Sequence, residues 1–256
     1  MDDRTRLYTS DEYVEKNPSM HREDSPWKLG KIRPFLDGVA SRTGSEITIL
    51  DVGGGTGEIL AGVADHLRSV HGKVVTKYAI DLTPAMLEEQ ARANPDLRKH
   101  LSEDIRKTTL RDKEVDLTLM VDVIEHVPEP NQALQEIRRI SRYAIFKVPL
   151  EDNLHDRLYD ALKQGALRRF RLEQVGHINT YNYSSLRRDI ERHLGRVLGC
   201  SFTNAAALYL SRPATRKVMN GREVLTAKLA SSLHRLSGRL EARLFSDFVV
   251  LLAECR

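Results

Sequence analysis

The sequence has few cysteines and no long apolar run, and each shortage excludes a class of protein. Cys200 and Cys255 are the only cysteines among the 256 residues. They are too few for a disulfide scaffold and lack the close spacing of a structural metal site, so no metal is expected. The longest obvious apolar run, residues 248–253, is far too short to span a bilayer. No apolar segment follows the N-terminal residues, and a cytoplasmic location is expected by exclusion.

Aromatic residues and excess charge are also scarce. Aromatic side chains make up 6% of the chain, and the formal net charge is only +4. A mildly basic chain permits a nucleic-acid partner but does not require one. Hydrophobic residues nevertheless make up 41% of the chain, which is enough for one packed core and excludes wholesale disorder.

Strand and helix patterns alternate from residue 47 onward. Short apolar runs predict strands at residues 47–52, 74–80, 101–105, 115–123 and 143–148, and helical spacing predicts helices at 58–70, 84–93 and 131–140. This alternation predicts an α/β fold with a doubly wound, mostly parallel sheet. Residues 1–45 are interpreted as an N-terminal helical or lid segment, with a helix over 27–40 that Pro34 interrupts.

The regular alternation ends after Pro149. Residues 151–174 are charged and partly helical in pattern, and Ser184 or Ser185 can cap a further helix that runs to about residue 194. Residues 203–246 contain leucines at spacings of three and four with arginines among them. Such a leucine series favours a core or an interface, although its basic residues could face a phosphate or a membrane surface. Candidate strands at 196–202 and 248–254 complete the sheet.

The strongest chemical signal is Asp51-Val52-Gly53-Gly54-Gly55-Thr56-Gly57, which stands between a predicted strand and a predicted helix. Glycines allow a tight turn and close approach of a ligand, and the helix start presents unpaired N–H groups. The common dinucleotide fingerprint requires a third glycine at the position of Glu58. Taken alone, the loop is dinucleotide-like but departs from that fingerprint.

This loop resembles the first motif of class I S-adenosylmethionine-dependent methyltransferases. Later segments agree in order: Asp81 after the second strand, Glu103-Asp104-Ile105 after the third, Asp122-Val123-Ile124-Glu125-His126 at the fourth, and Gly176-His177 before Tyr181. The resemblance implies a Rossmann-like, seven-stranded sheet over residues 46–256, with acceptor-lid insertions near 151–183 and 203–246. It also implies S-adenosylmethionine as the cofactor. The implied cofactor-binding residues are Asp51, Gly53, Gly55, Gly57, Asp81, Leu82, Asp104, Ile105 and Asp122.

Two histidines are the candidate catalytic residues. A hydroxyl acceptor benefits from a general base, whereas an amine acceptor needs only its neutral form. His126 and His177 are expected beside the cleft at the carboxyl ends of the strands, although a purely structural role is an equal alternative for each. Tyr181 and Tyr183 are expected to shape the acceptor pocket, or else only to pack.

The sequence therefore predicts methyl transfer from S-adenosylmethionine to an O or N atom of a small molecule, of natural-product, quinone or saccharide type. Two alternatives stay open. One is an RNA or protein methyltransferase, although nucleic acid is not expected because no RNA-binding module is recognisable. The other is a non-catalytic protein that binds the cofactor. A homodimer is left open as the assembly.

Overall fold

The computed structural model describes residues 22–256, which form one seven-stranded sheet with eleven α-helices around it. Residues 1–21 of the predicted N-terminal segment lie outside the described residues. The strands are β1 (Glu46–Val52), β2 (Val74–Ile80), β3 (Leu97–Leu101), β4 (Val115–Val121), β5 (Ser141–Leu150), β6 (Gly195–Phe202) and β7 (Asp247–Cys255).

The helices fall into two groups along the chain. Helices α1 to α4 alternate with the parallel strands, and α5 to α11 belong to the less regular second half. They are α1 (Ser25–Ala40), α2 (Glu58–His71), α3 (Pro84–Ala93), α4 (Pro130–Ile140), α5 (Leu154–Leu162), α6 (Ala166–Phe170), α7 (Tyr183–His193), α8 (Ala205–Ser211), α9 (Pro213–Val218), α10 (Gly221–Leu236) and α11 (Gly238–Leu244).

The strand order is β3-β2-β1-β4-β5-β7-β6. Strands β1 to β5 pair in parallel, whereas β7 runs antiparallel to both β5 and β6. The direction of winding reverses between β1 and β4, and ligands of open α/β sheets bind outside the carboxyl ends of the strands at such a switch point. Val52 is in register with Ile80 and Met120. The segments that follow these three strands therefore meet at one edge.

Two apolar clusters cover the two faces of the sheet. On one face, α1 and α2 pack against β1 and β4 through fully buried side chains such as Ile32, Leu36 and Leu60. On the other face, α4 and α7 pack against the sheet through side chains such as Ile137 and Ile190. Burial on both faces explains the continuous apolar runs of the central strands. The sequence prediction of a doubly wound, mostly parallel sheet is confirmed.

Two local predictions were wrong. The third strand covers Leu97–Leu101 rather than 101–105; as an edge strand it carries polar residues and lacks an apolar run. Helix α1 is continuous through Pro34, because the buried residues on either side of the proline, Ile32 and Leu36, hold both halves against the sheet.

The leucine series of residues 225–244 lies on α10 and α11 and is largely exposed rather than buried. Leu225, Leu229, Leu236 and Leu240 are 59%, 56%, 85% and 45% exposed. Among the described residues, no helix combines the length and the apolar character needed to cross a bilayer.

Candidate active site

The glycine loop after β1 adopts a conformation that requires glycine at several positions. Gly53, Gly55 and Gly57 have φ angles of +60°, +54° and +78°, the left-handed region that other residues rarely adopt. A Cβ at Gly57 would also stand 2.7 Å from Nδ2 of Asn94, which itself donates to the Gly57 carbonyl at 2.9 Å. The loop is therefore held in one shape from behind.

Asp51 lies directly beneath this loop. Its side chain is 1% exposed, and a Cβ at Gly54 would stand 2.1 Å from its Oδ2, so only glycine fits above it. That Oδ2 has no hydrogen-bond partner among the described residues. Burial, together with the nearby charge of Asp81, raises the pKa of Asp51 to about 7. A buried, unpaired carboxylate of this kind is suited to a cationic or N–H-bearing ligand group.

A first cavity opens at the ends of β1, β2 and β3. It encloses about 880 Å³, open mouth included, within the range of small-molecule sites, roughly 300–1,000 Å³. Asp81 stands in its wall, and burial raises the pKa of this carboxyl to about 6. One of its oxygens accepts the Thr83 N–H at 2.9 Å. The cavity brings together these predicted cofactor residues: Gly53, Gly55, Asp81, Leu82, Asp104, Ile105 and Asp122.

Asp104 has a partner that the sequence reasoning did not identify. Its Oδ2 accepts from Nε of Arg106 at 2.9 Å, and its Oδ1 accepts the Arg106 backbone N–H at 2.9 Å. Burial alone would raise the pKa of Asp104, but the Arg106 hydrogen bonds outweigh it and lower the pKa. Asp104 is thus a fixed anion in the cavity wall, with much of its accepting capacity already in use.

A second cavity, here called the polar chamber, adjoins the first. It encloses about 1,660 Å³, open space included, and both cavities have Gly53, Gly55, Asp122 and His126 in their walls. Its other walls come from the start of α1, from β5, from residues before His177 and from α8. The two cavities therefore meet at the glycine loop and at the end of β4.

A buried lysine on β5 reaches this junction. Lys147 is 1% exposed and forms an ion pair with Asp122, while Lys28 of α1 approaches the same carboxylate at 3.0 Å. Burial would raise the pKa of Asp122, but the two lysine charges outweigh it and lower the pKa to about 2. Asp122 therefore serves as the anion that compensates two cations. A lysine inside the apolar run of β5 was the sequence signal for this group, and it was overlooked.

Three ionisable side chains cluster on the far side of the junction. The rings of His126 and His177 lie 4.8 Å apart, edge to face, and Glu125 is 1% exposed between the same elements. Burial, with the nearby His177, lowers the pKa of His126 to about 4, so its imidazole is neutral near neutral pH. Burial, with the charge of Asp122, raises the pKa of Glu125 well above its ordinary value.

The segment after α6 is fastened to the end of β4 by one asparagine. The Asn179 backbone N–H donates to the Glu125 carbonyl at 2.9 Å, and its side-chain amide donates to the carbonyls of Ile124 and Val127 at 3.1 and 2.8 Å. These bonds bring His177 beside His126, although the two are far apart in the sequence. The sequence pattern placed each histidine near the cleft but not in contact with the other.

The expectation for the two tyrosines needs correction. Tyr181 and Tyr183 are 5% and 8% exposed and belong to the apolar cluster of α4 and α7, and neither is among the residues that line the two cavities. The Tyr183 ring packs 5.3 Å from that of Phe202. Residue 181 pairs with Leu150 at the end of β5, which turns both rings into the core rather than towards the chamber.

Comparison with known proteins gives the same class as the fold. Residues 50–143 match the family model described as a methyltransferase domain. A search of curated proteins finds no match to the sequence.

Several solved structures are similar to this one. Geranyl diphosphate C-methyltransferase from Streptomyces coelicolor A3(2), in complex with Mg²⁺, geranyl-S-thiolodiphosphate and S-adenosyl-L-homocysteine, is 13% identical; the match covers 88% of this chain and 75% of that one, with a TM-score of 0.59. A putative sarcosine dimethylglycine methyltransferase from Galdieria sulphuraria is 14% identical over 87% and 84% of the two chains, with a TM-score of 0.57. A putative methyltransferase from Haloferax volcanii, in complex with the Trm112 methyltransferase activator, is 16% identical over 92% and 94%, with a TM-score of 0.57.

Residues 50–143 are therefore a methyltransferase domain, and the described residues have the Rossmann-like fold of class I S-adenosylmethionine-dependent methyltransferases. The cofactor of this domain is S-adenosylmethionine, and the described residues fit that group. The glycine loop leaves a cradle that side chains would fill, and the unpaired Oδ2 of Asp51 lies beneath it.

Proposed function

We propose that the enzyme transfers the methyl group to a hydroxyl oxygen of a small-molecule acceptor bound in the polar chamber. The observation that carries this proposal is the cluster of Glu125, His126 and His177 in the chamber wall. His126 also lines the first cavity, so the cluster stands where a bound cofactor and an acceptor would meet. An amine acceptor would need no such group, whereas a hydroxyl must lose its proton.

The cofactor would be held by carboxylates of the first cavity and by Asp51 beneath the glycine loop. Asp51 would orient the amino group of the methionine part above it, and Asp81 would accept hydrogen bonds from the ribose hydroxyls. Leu82 and Ile105 would pack beside the adenine, with Asp104 as an acceptor for its amino group. The support is the common location of Asp81, Leu82, Asp104 and Ile105 in the wall of the first cavity. The unpaired Oδ2 of Asp51, which lines the adjoining polar chamber, supports its own role.

The chemistry at the junction balances simply. The cofactor supplies a sulfonium methyl group; the acceptor oxygen bonds to the methyl carbon, the C–S bond breaks with its electron pair on sulfur, and the acceptor loses one proton. The protein's part is to align the acceptor and to receive that proton. His126 is a neutral imidazole, and Glu125 is a carboxyl whose pKa is raised by burial; both lie within the cluster that would face the hydroxyl.

The chamber walls suit an acceptor with a ring. Trp27 of α1 and Phe248 of β7 stand edge to face with ring centroids 6.1 Å apart, and Tyr209 of α8 adds a third aromatic side chain to the wall. Aromatic side chains pack well against other rings, edge to face or offset. Wall residues also come from the N-terminal segment and from both predicted insertions, 151–183 and 203–246. This supports their proposed role as acceptor lids.

A paired-acceptor assay tests the proposal. The purified enzyme is incubated with deuteromethyl-labelled S-adenosylmethionine and with ring compounds that differ only in carrying a hydroxyl or an amino group. Mass spectrometry should find labelled methyl ethers from the hydroxyl compounds. Methylation confined to the amino compounds would refute the hydroxyl assignment. Methylation confined to added RNA or protein would refute the small-molecule acceptor.

A variant of His126 tests the role of the cluster in the same assay. His126→Gln should lower the rate of ether formation by roughly 10²–10⁴ and leave affinity for S-adenosylhomocysteine within about threefold, because His126 is not proposed to hold the adenosine. Equal rates for His126→Gln and wild type would show that the cluster is structural.

A further inference from the structure

The cluster of Glu125, His126 and His177 has the composition of a metal site. One carboxylate oxygen and one nitrogen from each histidine all lie within 4.8 Å of one another. Ligand atoms on opposite sides of a bound ion stand about 4 Å apart, since each bond is about 2.0–2.2 Å. Small side-chain rotations would therefore suffice to close the three groups around one ion.

The Nδ1 atoms of both histidines already have hydrogen-bond partners. Nδ1 of His126 lies 3.0 Å from the Gly176 carbonyl oxygen, and Nδ1 of His177 lies 2.8 Å from Oε2 of Glu151. Both partner oxygens can accept a hydrogen bond from a protonated Nδ1, and in that tautomer Nε2 is the ring nitrogen that would bind an ion. Metal-binding histidines are oriented in this way, with the second ring nitrogen donating to a carbonyl or a carboxylate.

The orienting carboxylate is itself fixed. Nε of Arg171 lies 3.0 Å from Oε1 of Glu151, and the side chains of Arg171, Glu151 and His177 are only 12%, 11% and 12% exposed. The chain Arg171–Glu151–His177 is thus a buried support that ends at the chamber. A histidine that served only to fill space would not require it.

Glu125 supplies an independent observation. It is 1% exposed, and neither of its carboxylate oxygens has a hydrogen-bond partner among the described residues, although its own backbone N–H is close. A buried carboxylate without a partner costs several kcal/mol. A bound cation would compensate the charge of this carboxylate, which stands in the chamber wall beside the two histidines.

We propose that Glu125, His126 and His177 bind one divalent transition-metal ion, with Zn²⁺ or Mn²⁺ as the simplest choices, in the polar chamber. Two imidazoles and one carboxylate form the donor set of zinc and non-haem metal sites that keep open positions. This departs from the sequence expectation of no metal. Metal sites are recognised in sequences by closely spaced ligands, and here the third ligand comes from a separate segment.

Two other groups of histidine and carboxylate residues share only some of these features. Asp37 has a 71% exposed side chain beside its histidine partners, so it needs no ion. In the group of His234, Glu241 and Asp247, the Asp247 carboxylate already accepts from backbone N–H groups at the start of α8. Both groups are useful as controls.

The role of the ion rests on the proposed function, but its binding does not. With Glu125 and His126 as its ligands, an ion with open positions would bind the acceptor hydroxyl and lower its pKa, and the proton would then pass to solvent rather than to either side chain. It would hold the oxygen at the junction of the two cavities, where His126 lines both walls. The ion is therefore expected to activate and orient the acceptor rather than to hold the cofactor.

Metal binding is tested without acceptor or cofactor. Protein stripped with a chelator is titrated with Zn²⁺ by calorimetry and with Co²⁺ by visible absorption. We expect one strong site per chain. Loss of one ligand in His177→Gln or Glu125→Gln should weaken Zn²⁺ binding by about 100-fold or more, and loss of the supporting carboxylate in Glu151→Gln by about 10- to 100-fold. The control His66→Gln should leave this site unchanged.

The outcomes separate the two proposals. No strong site in wild type, or a site unaffected by His177→Gln and Glu125→Gln but lost in His66→Gln, would overturn the metal site. Thermal unfolding and affinity for S-adenosylhomocysteine show whether each variant is folded. The Co²⁺ absorption of the folded conservative variant His177→Asp provides a second test of the role of His177 as a ligand. Tight Zn²⁺ binding without any O-methylation would overturn the proposed acceptor alone, whereas full O-methylation by the metal-free enzyme would overturn the role of the ion.

Discussion

Replacing Asp81 by alanine should weaken binding of S-adenosylhomocysteine by about tenfold to a thousandfold. Hydrogen bonds to a charged group contribute about 1.5–3 kcal/mol each. One Asp81 oxygen already accepts the Thr83 N–H at 2.9 Å, so one to two such bonds to a ribose remain. One bond at about 1.5 kcal/mol sets the lower limit and two bonds at about 2 kcal/mol each set the upper limit, and a loss of about 1.5–4 kcal/mol corresponds to the stated change in the dissociation constant.

The same substitution removes a support of the fold, and this effect must be separated. Asp81 satisfies the Thr83 N–H at the start of α3, so alanine should also cost about 0.5–2 kcal/mol of stability. Asp81→Asn is the matched control, because its amide oxygen can still accept from Thr83 while the charge is lost. Calorimetry gives the affinity, and thermal unfolding gives the stability of each variant.

The pH dependence provides a second check on Asp81. Burial raises its pKa to about 6 in the unliganded protein, and only the ionised carboxylate accepts from both hydroxyls. The affinity advantage of wild type over Asp81→Asn should therefore be largest above pH 6 and shrink as the pH falls below it. A folded Asp81→Ala variant that binds within twofold of wild type would refute the assignment of Asp81 to the ribose.

Two further predictions concern stability. Gly57→Ala should lower the free energy of unfolding by about 2–4 kcal/mol, because it adds a left-handed backbone cost to a clash with Asn94. Gly55→Ala, whose Cβ would have no atom within 4 Å, should lower it by only about 1 kcal/mol. Equal losses for the two variants in urea titrations would contradict the clash. Glu241→Gln should be more stable than wild type, by a margin that grows from about pH 4.5 to about pH 9. Burial and Asp247 raise the pKa of Glu241 to about 9 in the folded state, so the free energy of unfolding of the wild type falls as the pH rises through this range. A margin independent of pH would show that Glu241 is ionised in the folded protein.

The sheet and the first cavity could be predicted because their signals are local. The glycine loop, its strand and its helix are contiguous, and Asp81 follows the next strand directly. The parallel topology then brings such strand ends together without further information. The third strand escaped prediction because an edge strand pairs on one side only, and Arg98 and His100 on it face solvent.

The polar chamber could not be predicted because its contacts are made between distant segments. His177 reaches His126 only through the hydrogen bonds of Asn179 to the end of β4. No periodicity in the sequence records those bonds. Lys147 was a readable signal, since a lysine in a buried strand needs an anion nearby. Its partner Asp122 had instead been assigned to the cofactor alone.

The position of β7 has a consequence for the order in which the protein assembles during synthesis. Strand β7 follows β6 in the chain but lies between β5 and β6 in the sheet. Strand β6 therefore has no place in the sheet until β7 has left the ribosome and paired with β5. Until then the edge of β5 is open, and unpaired edges promote pairing with other chains. If the ribosome pauses within residues 203–246, the nascent chain would have its glycine loop formed and its sheet unfinished.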